Sequence, residues 1–233
     1  MKRSGSLLAF TALAATGIAH ADVSSTITAT SDYDFRGITQ TAKDPALQAS
    51  LDWTHESGAY LGAWASNVDF GPGTKSDFEL DVLGGFRGKI NDDTTFDVGA
   101  VYYGYPGGDD FEYPEVYAGI GYKMFSGKIW YSWDFGNSGE DEIYLDANLA
   151  VPLPNDFGLA LHAGYTDSDY FSADGGNYFD YSIGVTKTLG RFALALKWID
   201  GSDLKSTDGT PGNVFSSESK VVFSVATTLP WKD

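Results

Sequence analysis

Carboxylates supply most of the chemistry open to this chain. Its 233 residues hold 32 Asp and Glu against 15 Lys and Arg, three His and no Cys. Beyond residue 21 the histidines are His55 and His162 alone. Thiolate nucleophiles, thiolate metal sites and disulfides are therefore excluded. Neither a Gly-x-Ser-x-Gly elbow nor a His-Glu-x-x-His pair occurs. A Ser-His-Asp set need not be contiguous in sequence, so a barrel enzyme acting on lipid or ester substrates stays as a rival reading. A solitary His162 in a strand nevertheless reads more simply as a polar wall residue. Glu79 and Asp81, two apart, share one strand face; they could act as acid and base, but the same spacing lines a channel. Asp167, Asp169 and Asp174 carry the oxygen ligands Ca²⁺ takes, without the spacing of an EF-hand, and a solvated acidic loop is the simpler account. No catalytic residue, metal site or cofactor is expected. What remains is passage: ionisable side chains repeating along many segments, in a chain of net charge −17. That charge argues against nucleic-acid partners and favours attraction of cations.

The elements that would position these groups are strands. Residues 177–200 show the format. Phe179, Tyr181, Ile183 and Val185 alternate with Asp180, Ser182, Gly184 and Thr186. After a break at Gly190, Phe192, Leu194, Leu196 and Trp198 alternate with Ala193, Ala195 and Lys197. Period-two alternation places each set on one face, and the short break makes a hairpin. Arms of about ten residues suit a strand crossing a bilayer, lipid outside and water inside. About twelve such segments follow one another. Turns near 56–57, 90–94, 126–127, 154–156 and 190 are tight. Longer polar connections near 36–44, 71–77, 106–113, 137–140, 168–176 and 201–217 alternate with them. A β-sandwich has no reason to gather its short turns at one end; an outer-membrane barrel does. The expectation is all-β: a single antiparallel transmembrane barrel of about twelve strands over residues 22–233.

Residues 1–21 precede that unit. Lys2 and Arg3, an apolar run from Leu7 to Ile18 and Ala19-His20-Ala21 read as a cleaved secretory signal peptide. The mean hydropathy of −0.19 does not oppose a barrel, whose apolar face is hidden in alternation. Aromatic residues make up 15% of the chain, and they recur toward segment ends. Phe35, Phe70, Phe78, Tyr102, Phe135, Tyr165, Tyr181 and Trp198 fall toward the long loops, and Trp53, Tyr60, Phe86, Phe96, Phe157, Phe192 and Trp231 toward the short turns. Two interfacial girdles are expected from them.

The opposite face is polar. Asp34, Asp52, Glu79, Asp81, Arg87, Asp97, Glu115, Lys123, Asp146, His162, Asp180 and Lys197 are expected to line the pore, because charges facing hydrocarbon cost several kcal/mol. Gly99, Gly119, Gly121, Gly164 and Gly184 between them should leave space for water. Asp109, Asp110, Glu112, Asp167, Asp169 and Asp174 are expected around the outer mouth.

One family resemblance rests on specific stretches. Residues 31–41 (Ser-Asp-Tyr-Asp-Phe-Arg-Gly-Ile-Thr-Gln-Thr), 45–48 (Pro-Ala-Leu-Gln), 58–68 (Gly-Ala-Tyr-Leu-Gly-Ala-Trp-Ala-Ser-Asn-Val), Glu79-Leu80-Asp81, Gly104-Tyr105-Pro106-Gly107 and Pro114-Glu115-Val116-Tyr117 together resemble the TorF family, proteobacterial outer-membrane proteins classed as porins. The resemblance spans nearly all of 22–233. It implies an outer-membrane location in a Gram-negative bacterium and pore activity, and it supplies no substrate. The resulting expectation is a porin-like channel for passive diffusion of small hydrophilic solutes, with a preference for cations. Outer-membrane lipid, lipopolysaccharide and the barrel insertion machinery are its expected partners. A non-conducting structural or adhesive barrel is the second rival.

Overall fold

The computed structural model describes residues 22–108, 110–174, 176–202 and 213–231; the side chains of residues 172–174 are also outside the description. The proposed signal peptide, residues 1–21, lies outside it. The strands are β1 (Asp22–Thr30), β2 (Asp34–Phe35), β3 (Ile38–Thr39), β4 (Ala46–Thr54), β5 (Ala59–Asn67), β6 (Phe78–Lys89), β7 (Thr94–Gly104), β8 (Tyr113–Tyr122), β9 (Phe125–Ser132), β10 (Glu142–Leu153), β11 (Phe157–Ser168), β12 (Tyr178–Leu189), β13 (Phe192–Ser202) and β14 (Lys220–Leu229). Twelve of them, β1 and β4 through β14, close an antiparallel barrel in chain order, with β1 pairing both β4 and β14. β2 and β3 form a separate small hairpin.

Closure satisfies every strand edge, as a bilayer requires. The outer surface is apolar: Leu47, Leu51, Leu61, Val82, Ile120 and Leu196 are each more than half exposed. Leu194 and Leu196 pair with Val225 and Phe223 on that surface, while Ala195 and Lys197 pair with Ser224 and Val222 on the inner one. Such a continuous apolar face suits lipid. Tight turns gather at one end and long connections at the other, so this is a barrel of outer-membrane type.

Three expectations are corrected. The turn between β8 and β9 lies at Lys123-Met124, not at 126–127, because Lys123 adopts a left-handed backbone (φ 54°) and Tyr122 already pairs with Phe125. Lys123 therefore sits at the short-turn rim, 3.6 Å from Asp93, and does not line the lumen. Lys128, carried inward by the corrected register, lines it instead. Second, the first long connection begins earlier than the expected 36–44: β1 ends at Thr30, and residues 31–45 leave the wall. Third, four aromatics are not in girdles. Phe35, Phe70 and Phe135 pack inside the long-loop end, where Phe70 stacks on Phe215 at 5.0 Å and Phe35 meets Tyr103 at 5.8 Å. Tyr60 points into the lumen and donates to Asp97 at 2.7 Å. Outward pairs such as Phe86–Phe96 and Tyr181–Trp198 do occupy the two rims.

Candidate functional site

The first long connection builds the site. Asp32 staples its neck, accepting from Thr39 Oγ1 at 2.5 Å and Thr41 Oγ1 at 3.2 Å, while the Tyr33 N–H donates to Thr41 Oγ1 at 3.1 Å. Above this neck β2 and β3 turn at Arg36-Gly37, both with positive φ (50° and 84°). Gly37 is needed twice: for that backbone, and because a Cβ there would lie 2.9 Å from Asp180 Cβ on β12. Arg36, at the tip, bonds Glu115 of β8 at 2.8 Å and also Glu142 of β10. Around the ring β1 and β9 stand opposite, six strands apart by either route, and β8 and β10 flank β9. The hairpin thus crosses the bore. A twelve-strand ring at about 4.8 Å spacing and about 40° tilt is roughly 24 Å wide. The six residues from Thr30 to Arg36 reach about 20 Å when extended, and the arginine side chain covers the remainder.

The crossing is nearly dry. Arg36 is 8% exposed and Glu79, Glu115 and Glu142 are each 1% exposed. Burial alone would lower the Arg36 pKa, but Glu115 and Glu142 outweigh it and hold the guanidinium well above its ordinary range. Lys220 of β14 holds the other flank, 2.7 Å from Asp34 and 3.5 Å from Asp32. Tyr33 Oη donates to Glu79 at 3.3 Å, and Asp81 is buried on the same face of β6.

Toward the short turns the inner face changes character. Asp52, Arg87, Asp97, Lys128, Asp146, His162 and Lys197 are only half-buried. Lys128 bonds Asp97 at 2.7 Å, Arg87 donates to Thr54 at 2.9 Å, and Ser50 to Asp52 at 2.7 Å. Trp130 Nε1 donates to Asp146 at 2.9 Å, whose other oxygen takes the Asn148 amide at 2.6 Å. His162 stands between Asn148 Oδ1 at 2.8 Å on Nδ1 and both Tyr144 (3.0 Å) and Asp180 (2.8 Å) on Nε2. Both ring nitrogens are engaged, although Ser182 is its cross-strand neighbour. A base for a serine nucleophile needs one of them.

The inner glycines serve differently from the expectation. Tyr60 Oη lies over Gly85, Tyr117 Oη over Gly99 and Tyr144 Oη over Gly164; the Lys128 and Lys197 stems lie over Gly119 and Gly184. Each is a covered gap where long side chains cross a neighbouring strand, so these positions are filled rather than left to water.

Of the expected pore-lining residues, all but Lys123 face the interior, with Asp34 carried there by the hairpin. Of the mouth acids, Asp110 and Asp169 are exposed, Glu112 is half-buried, and Asp167 is exposed on the outward face of β11. Asp109 and the Asp174 side chain lie outside the described residues. Sequence alternation missed Arg36, Glu142 and Lys220. The inward sets of β10 and β14 could have revealed Glu142 and Lys220; Arg36 depends on the hairpin.

The comparisons agree with this architecture. The chain belongs to the family described as "Bacterial protein of unknown function (Gcw_chp)", whose profile matches residues 14–229. That description does not carry the TorF name. No curated protein sequence matches the chain. Among solved structures, a KdgM porin superposes with TM-score 0.58 at 8% identity, covering 90% of this chain and 99% of its own. A NanC porin gives 0.59 at 9%, covering 88% and 98%. A KdgM porin in complex with disordered oligogalacturonate gives 0.56 at 7%, covering 90% and 99%. These likenesses establish the shared fold.

Proposed function

We propose that this chain forms an outer-membrane channel for small hydrophilic solutes, narrowed at its long-loop end by residues 31–45. One observation carries the reading: beneath the buried crossing, the inner face stays ionisable and half-exposed while the outer face is apolar. A wall built for packing alone would have no use for that contrast. The TorF resemblance and the porin neighbours support the same reading. We further propose cation preference. On the described inner face Asp52, Asp97, Asp146, Asp180, Glu79 and Asp81 stand with Glu115, Glu142, Asp32 and Asp34 against Arg36, Arg87, Lys128, Lys197 and Lys220. Carboxylates outnumber cations, and a wall of that sign favours positive solutes. It disfavours polyanions of the kind bound in the KdgM complex. Single-channel recording in planar bilayers tests the reading: discrete conductance supports it, and folded, inserted protein without conductance rejects it.

The crossing hairpin favours one rival, a non-conducting barrel closed by its own loop. The same recording decides between them. An enzyme is disfavoured because His162 spends both ring nitrogens on Asn148, Tyr144 and Asp180.

A further inference from the structure

The place where Arg36 sits is a receptor that the barrel wall builds by itself. Glu115 comes from β8, Trp130 from β9, and Glu142 and Tyr144 from β10. Tyr103 of β7 fixes Glu115 with a 2.9 Å hydrogen bond. The guanidinium carbon lies 4.3 Å from the Tyr144 ring centre and 5.9 Å from that of Trp130. Its occupant arrives from elsewhere, across the bore, on a hairpin whose two strands are two residues each, and brings one further ring with it, Phe35 at 4.7 Å.

We propose that this cage is a binding site for guanidinium and similar planar organic cations, with Arg36 as its tethered occupant. Two carboxylates each take one arm of the planar fork, Glu115 from Nη2 and Glu142 from Nη1, a spread of donors that a guanidinium supplies and a compact ammonium does not. The ring faces add cation–π attraction, which an organic cation uses. They give nothing to Ca²⁺ or Mg²⁺, which seek six or more oxygen ligands. A cation that takes Arg36's place also detaches the tip that narrows the bore, so the site couples solute recognition to widening. That coupling rests on the channel reading; the binding site does not.

The experiment uses the full chain, refolded in detergent, with guanidinium chloride as probe and equal sodium chloride as control. In Arg36→Ala the cage is vacated. Calorimetry should show saturable binding at about 1–10 mM, the scale of a ligand with four heavy atoms. Wild type should bind far more weakly, since Arg36 competes. Adding Glu115→Gln and Glu142→Gln to Arg36→Ala should weaken binding at least about tenfold. Arg36→Gln, which keeps a neutral amide N–H₂ for the carboxylates, is the second variant if Arg36→Ala does not fold, judged by heat-modifiable gel mobility. In bilayers the vacated variant should conduct more than wild type, and millimolar guanidinium should reduce that current. Absence of saturable binding in the folded variants, or equal binding when both glutamates are neutralised, overturns the site. Binding without conductance in any form keeps the site and rejects the channel; conductance without binding does the reverse.

Discussion

At the residue scale, the two faces of one strand give opposite tolerances. Leu196 is 54% exposed on the outer surface, so Leu196→Arg puts a charge into hydrocarbon and should cost about 2–4 kcal/mol near the midplane. Ala195→Ser, facing the lumen, should be nearly neutral. Urea titration in lipid vesicles measures both, and equal effects would refute the register. Gly164 makes a second test. A Cβ there would lie 2.2 Å from Tyr144 Oη and 2.3 Å from Asp180 Oδ2. Gly164→Ala should therefore cost about 1–3 kcal/mol by overpacking, seen as a lower urea midpoint.

At the element scale, the hairpin of β2 and β3 depends on its neck. Asp32 accepts from Thr39 and Thr41 and lies near Lys220, but takes no part in strand pairing. Asp32→Ala should leave the barrel intact, with unchanged heat-modifiable mobility. It should also expose residues 31–45 to limited proteolysis at least about fivefold faster, because buried backbone must open before cleavage. Equal rates in variant and wild type would show that the neck is held by other contacts.

At the scale of the whole molecule, the channel reading predicts an ion preference that follows the balance of charge. Asp110 is exposed beside the half-buried Glu112 at the long-loop end, with Asp109 adjacent in sequence. A mouth of one sign concentrates counter-ions. Under a KCl gradient the reversal potential should indicate cation preference, and it should shrink as salt rises, since the Debye length falls from about 10 Å at 0.1 M to about 3 Å at 1 M. Neutralising Asp109, Asp110 and Glu112 together should reduce the preference at low salt. Anion preference at low salt would count against this account.

The sequence by itself determined the barrel. Alternation of period two marks strands and separates their faces, and short turns alternating with long loops place the two ends, because each signal is local. It also brought Asp52, Asp97, Asp146, His162 and Lys197 to the correct face. Tertiary structure decided where residues 31–45 go. Tyr33 and Phe35 continue the alternation of β1, and large apolar side chains suit a lipid surface and a buried interior equally well, so periodicity could not tell wall from plug. The contacts that settle it join Arg36 to Glu115 and Glu142, 79 and 106 positions away. Only closure of the ring sets β8 and β10 opposite β1, and with it the reach of Arg36 across the bore.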